Sequence, residues 1–225
     1  GKRRVRSLVE AYEAGFARLQ HEAPGEPLSE EDTRFRAALI DWLRFHRSIL
    51  IGELVPLTLD FVRKNPAAQV LPRFEHVLVD EYQDLNRADQ ALVVELAKAN
   101  ELLVIGDDNQ SIYGFRYANP VGIQTFPSEH PDVASYKITH CRRCPPNLVE
   151  ISNALIANNP HRSRDIPLTP DWSRPGATMY LVQHDTPDEE AEAIADFISA
   201  YLVRNPAAKP GEVLVLATRR FVGHK

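Results

Sequence analysis

The stretch "VLVDEYQDLN", residues 77–86, ends a short apolar run with three closely spaced acids: Asp80, Glu81 and Asp84. Carboxylates at the end of a buried strand lose their hydration, which is costly unless a positive charge occupies the same place. Carboxylate oxygens are hard ligands that suit Mg²⁺, which takes one or two of them together with phosphate oxygens and water. The stretch therefore predicts a site for a divalent cation.

A second polar loop, "GDDNQS" at residues 106–111, follows the next apolar run along the chain. Strand, helix and strand at this spacing predict two parallel strands, whose C-terminal ends share one edge of the sheet. We therefore expect Asp80, Glu81, Asp107 and Gln110 to meet there. An Asp that holds a metal, beside a Glu that takes a proton from water, is the pairing that nucleotide hydrolysis requires. Either loop alone is more typical of a cap or a turn, and their joint occurrence favours the phosphate site.

The elements around these loops predict an α/β fold. Residues 1–70 carry apolar residues at helical spacing, and residues 71–134 contain the strand–helix–strand unit. Residues 135–225 are predicted to contain a second α/β unit. Its strands are expected at "TMYLVQ" and "EVLVLAT", on either side of a helix that Thr186 caps. The stretches "NPVGIQTFPSEHPD" and "HRSRDIPLTPDWSRPG" are expected to be loops.

The composition limits the classes of function. The 225 residues are 44% hydrophobic and carry a net charge of −5, so any nucleic-acid binding is expected on a local patch and not over the whole surface. No apolar run has the length of a membrane span, and no signal peptide begins the sequence. These features predict a cytoplasmic protein with no membrane contact.

The two cysteines, Cys141 and Cys144, have the CxxC spacing that occurs in zinc and redox sites. A four-thiolate zinc site needs a second cysteine pair, and the spacing of His130 and His140 fits no common zinc pattern. We therefore expect two free thiols.

The stretch "SIYGFRYA" brings Tyr113, Phe115 and Arg116 close together in the sequence. Proteins that bind single-stranded DNA use aromatic faces on which bases stack, together with cations near the backbone. The alternative is that these rings fill an interface between domains.

Two of these stretches resemble a known family. "VDEYQDLN" closely resembles the Walker B segment of superfamily 1 DNA helicases of the UvrD/Rep/PcrA type, and "VIGDDNQSIYGFRYA" resembles their next motif. The resemblance implies RecA-like parallel-sheet motor domain halves of the P-loop NTPase type, preceded by an N-terminal helical segment. It also implies Mg²⁺ and ATP as cofactors, single-stranded or duplex-junction DNA as partner, and a place at the bacterial nucleoid. Which repair or replication proteins would act with it stays open.

The resemblance also implies roles for individual residues. Asp80 would hold Mg²⁺, and Glu81, next to the ion, would be the general base. Gln110 would sense the γ-phosphate, while Gln83 and Asp107 would support nucleotide binding. A further set would bind DNA: Tyr113, Phe115 and Arg116. Relatives commonly have Trp at the position of Phe115.

The segment "ITHCRRCPPNLVEISNALIANN" resembles the family's "NYRS" motif and the helix after it. Aligned on that helix, Arg143 takes the position of the arginine finger that reaches the γ-phosphate, with Arg142 as the other candidate. The family's division would make residues 1–70 a helical insertion, residues 71–134 the C-terminal half of the first RecA-like domain, and residues 135–225 the start of the second.

No G-x-x-x-x-G-K-[ST] sequence occurs in the chain, so the loop that cradles the phosphates in this family is missing. We therefore expect a fragment of an ATP-dependent helicase and single-stranded DNA translocase that is inactive by itself. The alternative from another class is a module that has lost hydrolysis and only binds DNA or a protein.

Overall fold

The computed structural model describes residues 1–19, 29–68, 74–98, 100–159 and 167–217. The chain divides into two compact units, Gly1–Arg174 and Pro175–Lys225. This division of the chain does not test the domain boundaries predicted after residues 70 and 134, which stay predictions.

The described residues contain seven α-helices and four short β-strands. The helices are α1 (Lys2–Arg18), α2 (Glu30–Phe45), α3 (Leu54–Lys64), α4 (Arg87–Leu96), α5 (Val121–Glu129), α6 (Pro146–Ile156) and α7 (Pro187–Arg204). The strands are β1 (His76–Val79), β2 (Glu101–Val104), β3 (His140–Cys141) and β4 (Thr169–Pro170). The helices predicted within residues 1–70 are thus present as α1, α2 and α3.

The N-terminal helices surround a small core. Helix α3 packs against α4, and α1 packs against α4 and the turn before α3. That turn is fixed by the buried Glu53, whose carboxylate accepts hydrogen bonds from the Tyr12 hydroxyl at 3.2 Å and the Leu50 N–H at 2.7 Å. Burial, followed by the charge of Glu53, raises the pKa of Tyr12 to about 12. The Tyr12 hydroxyl is therefore neutral at physiological pH and donates a hydrogen bond to the Glu53 carboxylate.

The predicted parallel pair of strands is confirmed. β1 pairs with β2 in parallel, from His76 opposite Glu101 to Val79 opposite Val104, and α4 connects them. Side chains alternate between the two faces, so Val77 and Val79 are half-buried while Leu78 is 69% exposed. The Ile105 N–H extends the ladder by donating to the Val79 carbonyl at 2.8 Å. The segments that follow β1 and β2 therefore leave the sheet at the same edge.

The prediction of a loop over "NPVGIQTFPSEHPD" was wrong, because this stretch contains α5. Pro127 lies inside the helix and has no N–H, so the helix lacks the hydrogen bond that residue 127 would otherwise donate to the Ile123 carbonyl. Phe126 anchors α5 through an edge-on contact with the buried ring of Tyr82, with the ring centroids 5.5 Å apart. In the other stretch predicted as a loop, the described part from residue 167 onward contains β4, which pairs in parallel with β3.

The predicted second α/β unit is only partly formed. Helix α7 is present, with Thr186 as its N-cap and Glu189 completing the capping box, as the sequence predicts. Residues 178–183 and 212–217, predicted as strands, have no β structure, and residue 218 of the second predicted strand lies outside the described residues. Strands need a hydrogen-bonded neighbour to be stable, and the described residues of this unit provide none; Leu181 and Leu216 are correspondingly exposed.

None of the helices in the described parts of the chain combines the length and the apolar character needed to cross a bilayer.

Candidate functional site

One buried side chain joins the two loops that the sequence predicts to meet. Gln83 lies in a short 3₁₀ turn after β1 and is only 1% exposed. Its amide nitrogen donates to Glu81 Oε2 at 2.8 Å, and its amide oxygen accepts from the Asp107 N–H at 3.0 Å. The Gln83 carbonyl also accepts from the Ser111 hydroxyl at 3.4 Å. The loop after β1 and the loop after β2 are therefore held in contact through Gln83.

The backbone at the end of β1 takes an unusual course. Glu81 adopts the left-handed conformation, with φ 53° and ψ 41°, which few residues other than glycine adopt. Asp80 stabilises the bend, since its Oδ1 accepts from the Glu81 N–H at 2.9 Å. Both acids remain exposed at the edge of the sheet.

The loop after β2 positions the other two predicted site residues. Asp107 is half-buried, and its Oδ1 accepts from the Asn109 N–H at 3.2 Å. Its Oδ2 accepts from the Gln110 side-chain amide at 2.9 Å, which holds the exposed Gln110 side chain beside Asp107. The structure thus links Glu81, Gln83, Asp107 and Gln110 in one chain of hydrogen bonds.

The electrostatics of these loops fit a positively charged ligand. Among the described residues, no lysine or arginine forms an ion pair with Asp80, Glu81 or Asp107. Two acceptor atoms on the loops, Asp84 Oδ1 and Asn109 Oδ1, are buried without a hydrogen-bond donor. Burial, and then the charge of Glu81, raises the pKa of Asp84. Free carboxylate oxygens and unpartnered acceptors are the donor set that a hard cation such as Mg²⁺ takes.

No group of three or more histidine, cysteine, aspartate or glutamate side chains within the described ranges is arranged to enclose a metal by itself. A magnesium ion that bridges phosphates needs only one or two carboxylates, so this finding leaves the predicted roles of Asp80 and Glu81 untested.

Gln90 is a structural residue of the site that the sequence did not reveal. Its buried amide nitrogen donates to the Asn119 carbonyl at 2.9 Å, and its oxygen accepts from the Asn119 side chain at 2.7 Å. Gly122 is required beside it, because a Cβ there would lie 2.3 Å from Gln90 Oε1. The sequence does contain one indication of this role. Gln90 lies on the apolar face of α4 with Val93, in line with Ala97 just after the helix, where a polar residue is unexpected.

The predicted aromatic stretch follows directly and faces solvent. Tyr113 and Phe115 have ring centroids 5.8 Å apart, and the Arg116 guanidinium lies 5.9 Å from the Tyr113 ring. Phe115 is 77% exposed. Tyr117 ends the short turn in the left-handed conformation and donates from its hydroxyl to the Glu10 carbonyl at 3.1 Å. The turn is therefore tied to α1, and the rings of Tyr113 and Phe115 are available to a ligand.

Arg143 is exposed on the turn between β3 and α6. None of the hydrogen bonds or ion pairs among the described residues joins its guanidinium to the acidic loops. Arg174 Nη1 donates to the Arg143 backbone carbonyl at 2.7 Å and also to the Arg142 backbone carbonyl. Of the sequence-predicted site residues, Arg142 and Arg143 are therefore the ones that these contacts do not bring to the site, and the choice between them stays open.

We expect Gly106→Ala to disrupt the contact between the two loops. A Cβ at residue 106 would lie 2.4 Å from Gln83 Oε1 and 2.7 Å from Ile123 Cδ1, so the bridge must shift, at a cost of about 1–3 kcal/mol of unfolding free energy. Urea denaturation measures the loss, and faster amide exchange at Asp107 locates it. Gly114→Ala is the matched control, because a Cβ there meets nothing within 4 Å. Equal stability of the two variants would contradict the close packing at Gly106.

Comparison with known proteins identifies the family. Residues 7–131, more than half of the chain, match the family model described as UvrD/REP helicase N-terminal domain. The chain is 37% identical over 161 residues to the ATP-dependent DNA helicase UvrD1 of Mycobacterium tuberculosis. The aligned region covers 67% of this chain and 20% of UvrD1. It is 33% identical over 150 residues to the ATP-dependent DNA helicase PcrA of Leuconostoc citreum, covering 65% of this chain and 20% of PcrA.

A third relative, DNA helicase II of Haemophilus influenzae, is 33% identical over 135 residues, which are 59% of this chain and 17% of that protein. The chain therefore spans about a fifth of the length of these relatives. The family model covers the acidic and aromatic motifs, whose sequences resemble the same family. The chain therefore belongs to the UvrD/REP helicase family.

Proposed function

We propose that this chain carries the part of an ATP-dependent DNA helicase that couples nucleotide hydrolysis to a grip on single-stranded DNA. The observation that carries the proposal is the Gln83 bridge, which joins the exposed acids after β1 to the loop that leads into the exposed aromatic rings. The parallel strands β1 and β2, connected by α4, suit half of a RecA-like motor domain. Its place of action would be the chromosomal DNA in the bacterial cytoplasm.

The acidic loops would provide the hydrolytic groups. The carboxylates of Asp80 and Glu81 form no ion pair among the described residues; Asp80 would hold Mg²⁺, and the bound ion would neutralise charge on the phosphates. Glu81 would accept the proton of the attacking water, and its hydrogen bond from Gln83 fixes the carboxylate for that task. Gln110 can donate and accept through one amide, so it can contact a γ-phosphate oxygen and the water together.

The aromatic loop would provide the grip on DNA. Phe115 and Tyr113 present exposed faces for stacking, and Arg116 adds a cation for the DNA backbone. Gln110 and Phe115 lie on one continuous loop, so a shift of Gln110 on phosphate release would move the ring. A base bound to that ring would move with it.

Arg143 is proposed as the arginine finger. Its guanidinium is exposed and has no hydrogen-bond partner among the described residues, so it is free to approach a phosphate from the side of the turn before α6. Its charge would stabilise the transition state for phosphoryl transfer.

The chain by itself is proposed to lack ATPase and unwinding activity, because no G-x-x-x-x-G-K-[ST] loop is present to bind the β- and γ-phosphates. A longer protein that contains this chain and such a loop would have both activities. The runner-up is a module that binds DNA or protein without hydrolysis. Its weakness is that it has no use for exposed acids that hydrogen bonds through Gln83 and Asp107 link to Gln110.

Glu81→Gln tests the hydrolytic role in the longer protein. Removal of a general base is expected to lower the rate of ATP hydrolysis by about 100-fold or more, while nucleotide binding is retained. Steady-state phosphate release and binding of a fluorescent ATP analogue measure the two quantities. The control is Glu192→Gln, which changes an exposed acid on α7. Steady Mg²⁺-dependent hydrolysis by the pure 225-residue chain, abolished by Glu81→Gln, would refute the proposed inactivity of the chain alone.

Phe115→Ala tests the DNA grip in the 225-residue chain. Loss of one stacked base is expected to weaken binding by about 1–3 kcal/mol. Fluorescence anisotropy of a labelled oligothymidine, at one fixed salt concentration, measures the affinity. Tyr136→Ala removes a ring that is 88% exposed but lies outside the aromatic loop, so it should leave the affinity unchanged. Equal losses in the two variants would show that stacking on Phe115 is not the source of binding.

A further inference from the structure

The turn between β3 and α6 contains a feature that the proposed function does not use. Cys141 and Cys144, the only cysteines of the chain, stand on either side of Arg142 and Arg143. Both thiols are free and half-buried, so a small reagent can reach them.

The two thiols differ in their hydrogen bonds. The backbone N–H groups of Cys144 and Arg143 donate to the Cys141 sulfur, and these bonds hold the pKa of Cys141 below its ordinary value. Burial, followed by a side-chain hydrogen bond with Cys141, raises the pKa of Cys144. Cys141 is therefore favoured as a thiolate, and Cys144 as a thiol.

Arg174 stabilises the conformation of this turn and adds positive charge to it. Arg174 Nη1 donates to the carbonyls of Arg142 and Arg143, and its charge reaches Cys144. The Thr169 N–H donates to the Thr139 carbonyl at 2.7 Å, which fixes the segment before Arg174 beside β3.

The charged groups around the thiols are mostly cationic. Arg143 acts on both sulfur atoms, and Arg174 acts on Cys144. Positive charge near a cysteine favours the reactive thiolate.

We propose that Cys141 and Cys144 form a reversible dithiol–disulfide site that reacts with low-molecular-weight disulfides. The Cys141 thiolate attacks one sulfur of the small disulfide, forms a mixed disulfide, and releases the other half as a thiolate. Cys144 then loses its proton and attacks Cys141 Sγ, which releases the second half. Both protein thiols are oxidised to one disulfide, and the small disulfide is reduced to two thiols.

The disulfide would close a small ring around Arg142 and Arg143. A consequence for ATP hydrolysis follows only if the proposed function is right, because it requires one of these arginines to reach the γ-phosphate. The disulfide site itself does not depend on that role, so it can be tested in the 225-residue chain without measuring activity.

The test is the reaction of the folded 225-residue protein with oxidised glutathione near pH 7, followed by mass spectrometry. The wild-type chain is expected to lose two hydrogen atoms without retaining glutathione, and dithiothreitol should restore it. Cys144→Ser should trap one glutathione on Cys141, whereas Cys141→Ser should react several-fold more slowly. In denaturant the two variants should react at similar rates, since the hydrogen bonds around Cys141 are lost.

A measurement without substitutions guards against misfolded variants. Brief alkylation of the wild-type chain with iodoacetamide, followed by peptide mapping, should label Cys141 several-fold faster than Cys144 in the folded state alone. Retained glutathione in the wild-type chain, or equal rates at the two cysteines in the folded state, would overturn the proposal.

Discussion

Two hydrogen bonds from the buried amide of Gln83 set the geometry of the whole edge of the sheet. One fixes the carboxylate of Glu81, and the other fixes the backbone of Asp107. Water cannot replace either bond at a side chain that is 1% exposed, so breaking one leaves a buried polar group unpaired, at a cost of about 1–3 kcal/mol. A carboxylate in place of the amide could accept but not donate, which explains why glutamine suits this position.

The same constraint extends to the aromatic loop. The Gln83 carbonyl accepts from Ser111, which lies between Gln110 and the rings, and Gln90 fixes the segment that follows them through Asn119. The aromatic turn is thus anchored before and after, while its rings stay exposed. Such an arrangement can pass a small shift at the acidic loop to the exposed rings, as the proposed coupling of hydrolysis to DNA binding requires.

The sequence predicted the parts of this arrangement that depend on local pattern. The parallel pair β1–β2 follows from apolar runs at the right spacing, and the cap of α7 follows from Thr186 and Glu189. The strands predicted over residues 178–183 and 212–217 are absent because a strand also needs a neighbour, which no local pattern supplies. The bridging geometry of Gln83 and the clamp of Gln90 could not be predicted, since both depend on contacts between segments distant in sequence.

We propose that the acids after β1 and the loop after β2 together bind a divalent cation. The most direct measurement is the broadening of backbone amide NMR signals of the 225-residue chain by Mn²⁺, a paramagnetic substitute for Mg²⁺. We expect the amides of Asp80, Glu81 and Asp107 to broaden first and together, and Asp80→Asn to remove the effect. Broadening that begins instead at the acidic first turn of α7, with these amides unchanged, would contradict it.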